Sequence, residues 1–150
     1  MNNQGYSKVD AVVLQLGIND VIRSFDDYEN FEIALDDYQT CLKQMINSIK
    51  EYDPDVKIVL QSILPCDTNQ DSFTGSYGTL FTVWEFMHRN YLYNLALIDE
   101  YRYKESENIY LSWYAASLDA ENNQGGDVHP TAEGYKQIGE QTYYFLKAII

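Results

Sequence analysis

The sequence predicts an α/β fold: a parallel sheet with helices packed on its faces. Three observations carry that expectation. Short valine-rich apolar runs read as strands buried on both sides. Between them, apolar residues recur at three-and-four spacing over helix-length stretches. The order alternates strand and helix throughout, so each crossover contains a helix and the strands it joins run parallel.

The first run, Val9 to Leu16, is nearly continuous apolar sequence and stops at Gly17. A polar, acidic stretch through Asp20, Arg23, Ser24, Asp26 and Asp27 is expected as loop. A helix follows from Phe31 to about Glu51, with its apolar stripe running through Phe31, Ala34, Leu35, Tyr38, Leu42, Met45, Ile46 and Ile49. Acidic residues crowd its first turns, where the helix dipole favours them, and Asp53-Pro54 ends it. Val56 to Leu64 is a second buried-type strand, stopped by Pro65. Cys66 to Gly78 is polar and carries two glycines, so it is expected as loop. From Thr79 to about Lys104 a helix is expected whose apolar face holds Leu80, Trp84, Met87, Tyr91, Leu95 and Ile98. Asn108 to Trp113 is a third strand, Ala115 to Gly126 a loop, and Pro130 opens a last helix, as proline does well in a first turn. Its inner face is expected to hold Tyr135, Ile138, Thr142, Phe145, Leu146 and Ile149.

The chain of 150 residues fits one domain. Fourteen tyrosines and an aromatic share of 15% argue against disorder. Ten Lys and Arg against 23 Asp and Glu leave a net charge of −13, with the basic residues scattered singly. Such a surface repels nucleic acid and anionic membrane alike, so neither is an expected partner. Cys41 and Cys66 match no zinc or redox spacing and are expected as free, partly buried thiols. No cofactor or metal is expected, and the acidic stretch from Asp26 to Glu32 lacks the alternating ligands of a calcium loop. Met1 to Gly5 does not read as a signal peptide, which leaves the compartment undefined.

Open parallel sheets gather ligands at the carboxyl ends of their strands. Three segments occupy that rim: Gly17-Ile18-Asn19-Asp20, Pro65-Cys66-Asp67, and Gly126-Asp127-Val128-His129-Pro130. Histidine beside aspartate there suits acid–base work. An asparagine side chain can donate to a developing oxyanion.

Leu16 to Asp20 (LGIND) resembles the GxND block of SGNH, or GDSL-type, ester hydrolases, and Asp127 to Tyr135 (DVHPTAEGY) resembles their closing block. The strand ending at Pro65 and the helix carrying Arg89-Asn90-Tyr91-Leu92-Tyr93-Asn94 fit between them, so the resemblance covers essentially the whole chain. It implies a flavodoxin-like, three-layer α/β/α fold of which three strands and three main helices are recognisable, truncated at its amino end. It also implies O-acyl hydrolysis of a small-molecule or carbohydrate ester: Asn19 donating to the oxyanion, Gly17 making the turn that presents it, His129 acting as base and Asp127 orienting the imidazole. In the family's common form the aspartate stands three residues before the histidine. Here Gly126 holds that position, and either Asp127 or a backbone carbonyl orients His129.

The family's nucleophile lies in a Gly-Asp-Ser block on an earlier strand, and no such block occurs here. Ser7 stands at the wrong end of the first run, and Ser24, Ser62, Ser72 and Ser76 match no nucleophile block. The expectation is therefore a partial SGNH-like domain over residues 1–150, inactive or nearly so alone. The alternatives are a non-catalytic remnant used for binding or assembly, and an unrelated small-ligand domain. The last is disfavoured because no phosphate-cradling glycine loop follows the first strand. With the earlier strands missing, Val9–Leu16 becomes a sheet edge, which invites a homo-oligomer or a companion segment. Asp20 is expected to brace its loop, His88 to be structural, and Trp84 and Trp113 to pack in core or rim.

Overall fold

In the computed structural model, which describes residues 8–113 and 118–150, three short strands form one parallel sheet. They are β1 (Ala11–Leu14), β2 (Lys57–Gln61) and β3 (Ile109–Ser112), in the order β1-β2-β3, with Val12 opposite Ile58 and Leu60 opposite Leu111. Each is shorter than its apolar run. The outer residues of the runs lead into the turns that carry the rim.

Side-chain alternation divides the sheet into two faces. Ile58, Leu60 and Ile109 join a buried cluster under α2 (Phe31–Tyr52) and α4 (Val83–Tyr101). Val59 and Gln61 point the other way, where the Gln61 amide donates to Thr142 Oγ1 of α6 (Ala132–Ile149) at 2.7 Å. Helices therefore flank a parallel sheet on both sides, as the periodicity implied.

The main helices are capped by side chains at their starts. Asn30 caps α2 by accepting from Ile33 N–H, Thr82 and Glu85 form a reciprocal capping box on α4, and Thr131 caps α6. Of the expected α2 stripe, Ala34, Tyr38, Leu42 and Ile46 are buried, Phe31, Leu35 and Ile49 pack half-buried against the same core, and Met45 stays 40% exposed.

Four expectations need correction. Residues after Gly17 form a helix, α1 (Ile18–Arg23), because Ile18, Val21 and Ile22 make a one-turn apolar patch against the core. Within Cys66–Gly78, the stretch Gln70–Tyr77 is a helix, α3; Asn69 caps it, Phe73 is fully buried and Phe73 packs on Tyr77 at 4.9 Å. The α4 stripe is rotated by one position. Val83, Phe86, Asn90, Tyr93, Leu97 and Tyr101 are buried, while Trp84 is 76% exposed and Leu80 and Tyr91 lie outside too. On α6, Tyr135 is 56% exposed rather than inward, and the buried residues of that helix are Gly134 and Ile138.

Ser7 lies outside the described residues, as do 115–117 of the expected loop Ala115–Gly126. The rest of that loop includes a short helix, α5 (Ala120–Asn123), capped by Asp119. Cys66 is buried and Cys41 exposed, both as free thiols, and burial pushes the Cys66 thiol up to about 12. Among the described residues no helix is long and apolar enough to cross a membrane.

Candidate active site

Gly17 closes β1 with φ +116°, a backbone region that L side chains rarely adopt. A Cβ there would also stand 2.5 Å from Ile63 Cδ1, so any other residue at this position is strained on two grounds. This turn launches α1 and places Asn19 on its first turn, exposed at the carboxyl end of the sheet. Asp20 braces the turn through its carbonyl, which accepts from Ser24 N–H at 3.0 Å and Tyr93 Oη at 3.3 Å. Behind α1, the Arg89 guanidinium stacks 3.7 Å over Phe25 and donates to the carbonyl and hydroxyl of Ser24. The α1 segment is thus clamped to α4.

The second rim segment is held by an amide ladder. Asn94 Oδ1 accepts from Ile63 N–H at 2.9 Å, the Asn94 amide donates to Asn90 Oδ1 at 2.6 Å, and the Asn90 amide donates to Leu64 O at 2.6 Å. A buried amide on an otherwise apolar helix face is justified only by such partners. It also explains why apolar counting missed the α4 phase.

At the third segment, Gly126 adopts φ +99° and turns the chain so that Asp127 comes back over its own following residues. Asp127 Oδ1 accepts from His129 backbone N–H at 2.7 Å and lies 3.0 Å from His129 Nδ1. Two residues of separation are therefore enough for contact. Burial pushes the Asp127 carboxyl up, but hydrogen bonds from the His129 amide and ring, the imidazole's charge and the Ser76 hydroxyl outweigh it, leaving it below the usual carboxylate range. The pair is asymmetric, with the histidine side chain 72% exposed and the aspartate 20%. With Nδ1 engaged, Nε2 is the nitrogen left to exchange a proton with a substrate or nucleophile.

The loop is anchored from several sides. Asp67 N–H donates to Asp127 O at 2.7 Å, Gly125 N–H to His129 O at 2.8 Å, and the Gln124 amide to Pro65 O. Ser76 of α3 donates to Asp127 Oδ2 at 3.4 Å. Ser76 carried no sequence signal, because α3 itself read as loop.

His129 and Asn19 line adjoining depressions. That of His129, about 180 Å³, is walled by Gln15, Leu16, Ile18, Leu64 and Tyr135. That of Asn19, about 350 Å³, shares Gln15, Leu16 and Ile18 and continues to Tyr38, Cys41 and Met45. The two side chains thus flank the carboxyl end of β1. Among the described residues, no serine, threonine or cysteine lines the His129 depression.

His88 is exposed on α4, away from both depressions. Trp113 lines a separate, mainly apolar hollow with Ile63 and with Met87, Tyr91, Leu95 and Ile98, four residues of the expected α4 stripe. The acidic segment is tied locally, Arg23 to Asp27 at 2.6 Å and Tyr28 Oη to Asp37 at 2.7 Å. Among the described residues, no group of three or more His, Cys, Asp or Glu is placed to hold a metal ion.

The aspartate–histidine couple and the asparagine thus share the carboxyl rim of a parallel sheet, the place where such sheets gather ligands. The chain belongs to the GDSL-like Lipase/Acylhydrolase family, whose model matches residues 1–142. No curated protein and no solved structure matches it.

Proposed function

We propose that this chain carries the base and oxyanion portion of an O-acyl, or acetyl, ester hydrolase that works by a Ser-His-Asp mechanism, on a flavodoxin-like sheet completed by further strands. The observation that carries the reading is the 3.0 Å contact of Asp127 Oδ1 with His129 Nδ1, beside the depression that Asn19 lines. Asp127 holds the imidazole with its proton on Nδ1, and His129 Nε2 takes the proton of a serine hydroxyl. The serine oxygen then bonds to the acyl carbon while the Asn19 amide donates to the oxyanion. The bond from acyl carbon to leaving alcohol breaks, and the alcohol departs with the proton from Nε2. Water, deprotonated in the same way, releases the acid and restores the serine. Gly17 serves by fixing the turn that aims Asn19.

The serine is the missing party, since the sequence contains no Gly-Asp-Ser. The chain alone is accordingly inactive or nearly so. A second reading draws on the same gap: with no serine, threonine or cysteine among the described residues that line the His129 depression, the fold would serve as a binding or assembly module. Hydrolysis of p-nitrophenyl acetate tests the first reading. The 150-residue chain is expected to stay near background. Robust turnover abolished by a serine-directed fluorophosphonate would overturn the claim that the nucleophile comes from elsewhere.

A further inference from the structure

The helix α4 is apolar on two sides, and only one of them enters the core. Val83, Phe86, Tyr93 and Leu97 are buried. One position further round, Met87, Tyr91, Leu95 and Ile98 form a second stripe that stays half-buried or exposed. A surface helix ordinarily turns a polar face outward, so a second apolar stripe marks a place where something binds.

That stripe walls a hollow of about 320 Å³, bounded elsewhere by Ile63 and Pro65 after β2 and by Trp113 after β3. The size falls at the lower end of small-ligand pockets, roughly 300–1,000 Å³. Its chemistry narrows the occupant. Among the described residues, none that lines it is charged, in a chain of net charge −13. An ion of either sign would lose its water there without gaining a counter-charge. The amides on the wall are largely spent: Asn94 uses both its N–H bonds on Asn90 O and Asn90 Oδ1, and Asn90 donates to Leu64 O. A sugar's hydroxyls would therefore exchange water for few partners. What the hollow does offer is two exposed aromatic side chains, Tyr91 and Trp113, beside aliphatic Ile63, Leu95 and Ile98. Aromatic rings gain more from stacked or edge-on contact with another ring than its buried area alone supplies. A second copy of the chain is a poor occupant, since two molecules of this charge repel.

We infer that this hollow is a binding site for a neutral ligand bearing a flat aromatic ring, held against Tyr91 and Trp113. It is separate from the His129 depression, with which it shares only Ile63, and it does not depend on the esterase reading.

The test is an NMR titration of the 150-residue chain with 2-naphthol, its saturated twin decahydro-2-naphthol, and methyl glucoside, following the two indole N–H resonances. Trp84 is exposed on α4 and is not among the residues that line the hollow, so it is the internal reference. 2-Naphthol should shift the Trp113 resonance saturably and leave Trp84 in place. It should bind about three- to tenfold more tightly than the saturated twin. Methyl glucoside should shift neither resonance. Tyr91→Ala, at an exposed position, should weaken 2-naphthol binding by about tenfold with circular dichroism unchanged. If that variant does not fold, the contrast between Trp113 and Trp84 in the wild-type chain decides alone. No shift at Trp113, or equal shifts at both indoles, would overturn the site. Equal affinity for the saturated twin, saturable binding of methyl glucoside, or full affinity in folded Tyr91→Ala would overturn the aromatic assignment.

Discussion

The two faces of the sheet are built differently. Under α2 and α4, Phe73, Phe81, Phe86 and Tyr93 pack beneath β2 with ring pairs such as Phe73–Phe86 at 5.5 Å, all of them nearly or fully buried. Under α6 the contact is thinner: Gly134 and Ile138 are buried, Tyr144 is 66% exposed, and Gln61 meets Thr142 by a polar contact. On that face the Ser112 hydroxyl is buried without a hydrogen-bond partner among the described residues. Yet the His129 loop leads directly into α6. Stability is concentrated on one face, and the thinner face is the one whose helix the His129 loop enters, where chain segments open at lower cost.

The widest test of that asymmetry pairs two truncations. Phe86→Ala should lose about 3–5 kcal/mol in urea unfolding, as buried aromatic truncations do. Leu146→Ala, on half-buried α6, should lose about 1 kcal/mol. Equal losses would erase the distinction between the faces. Gly17→Ala comes next, at about 2 kcal/mol or more, because it combines positive φ with a collision against Ile63. It probes the junction between core and lip, and should shift the Asn19 side-chain amide resonances as well as stability.

The smallest effect concerns pH. The Asp127 carboxyl lies below its unfolded value, so its stabilising contribution is full above the ordinary aspartate range and is lost as pH falls through the folded value. Wild type and Asp127→Asn should therefore differ in stability above about pH 4 and converge below it. A constant gap across that range would mean that the carboxylate's charge contributes nothing.

Much of the fold was legible in the sequence because its determinants are local. Valine-rich runs ending at Gly17 and Pro65 and the apolar stripe on α2 each announce an element without knowledge of its neighbours. The phase of α4 was not local. Both of its faces are apolar, and the buried one contains Asn90, whose place is set by carbonyls of the segment after β2. The helices α1 and α3 escaped notice because six or eight residues bury only a few apolar side chains each. At the site, residue types and rim position could be read directly. The contact between Asp127 and His129 could not, since it depends on the turn that Gly126 makes at φ +99°.

The central claim is that Asp127 holds His129 with its ring proton on Nδ1 and leaves Nε2 to act as base. Free imidazole prefers the other tautomer, and this chain offers an internal reference in exposed His88. Long-range proton–nitrogen NMR correlations at neutral to mildly alkaline pH report which nitrogen carries the proton on each ring. The account predicts a predominantly Nδ1–H ring at His129 that reverts towards the His88 pattern in Asp127→Ala. An Nε2–H ring at His129 in the wild-type chain, unchanged by that substitution, would contradict it.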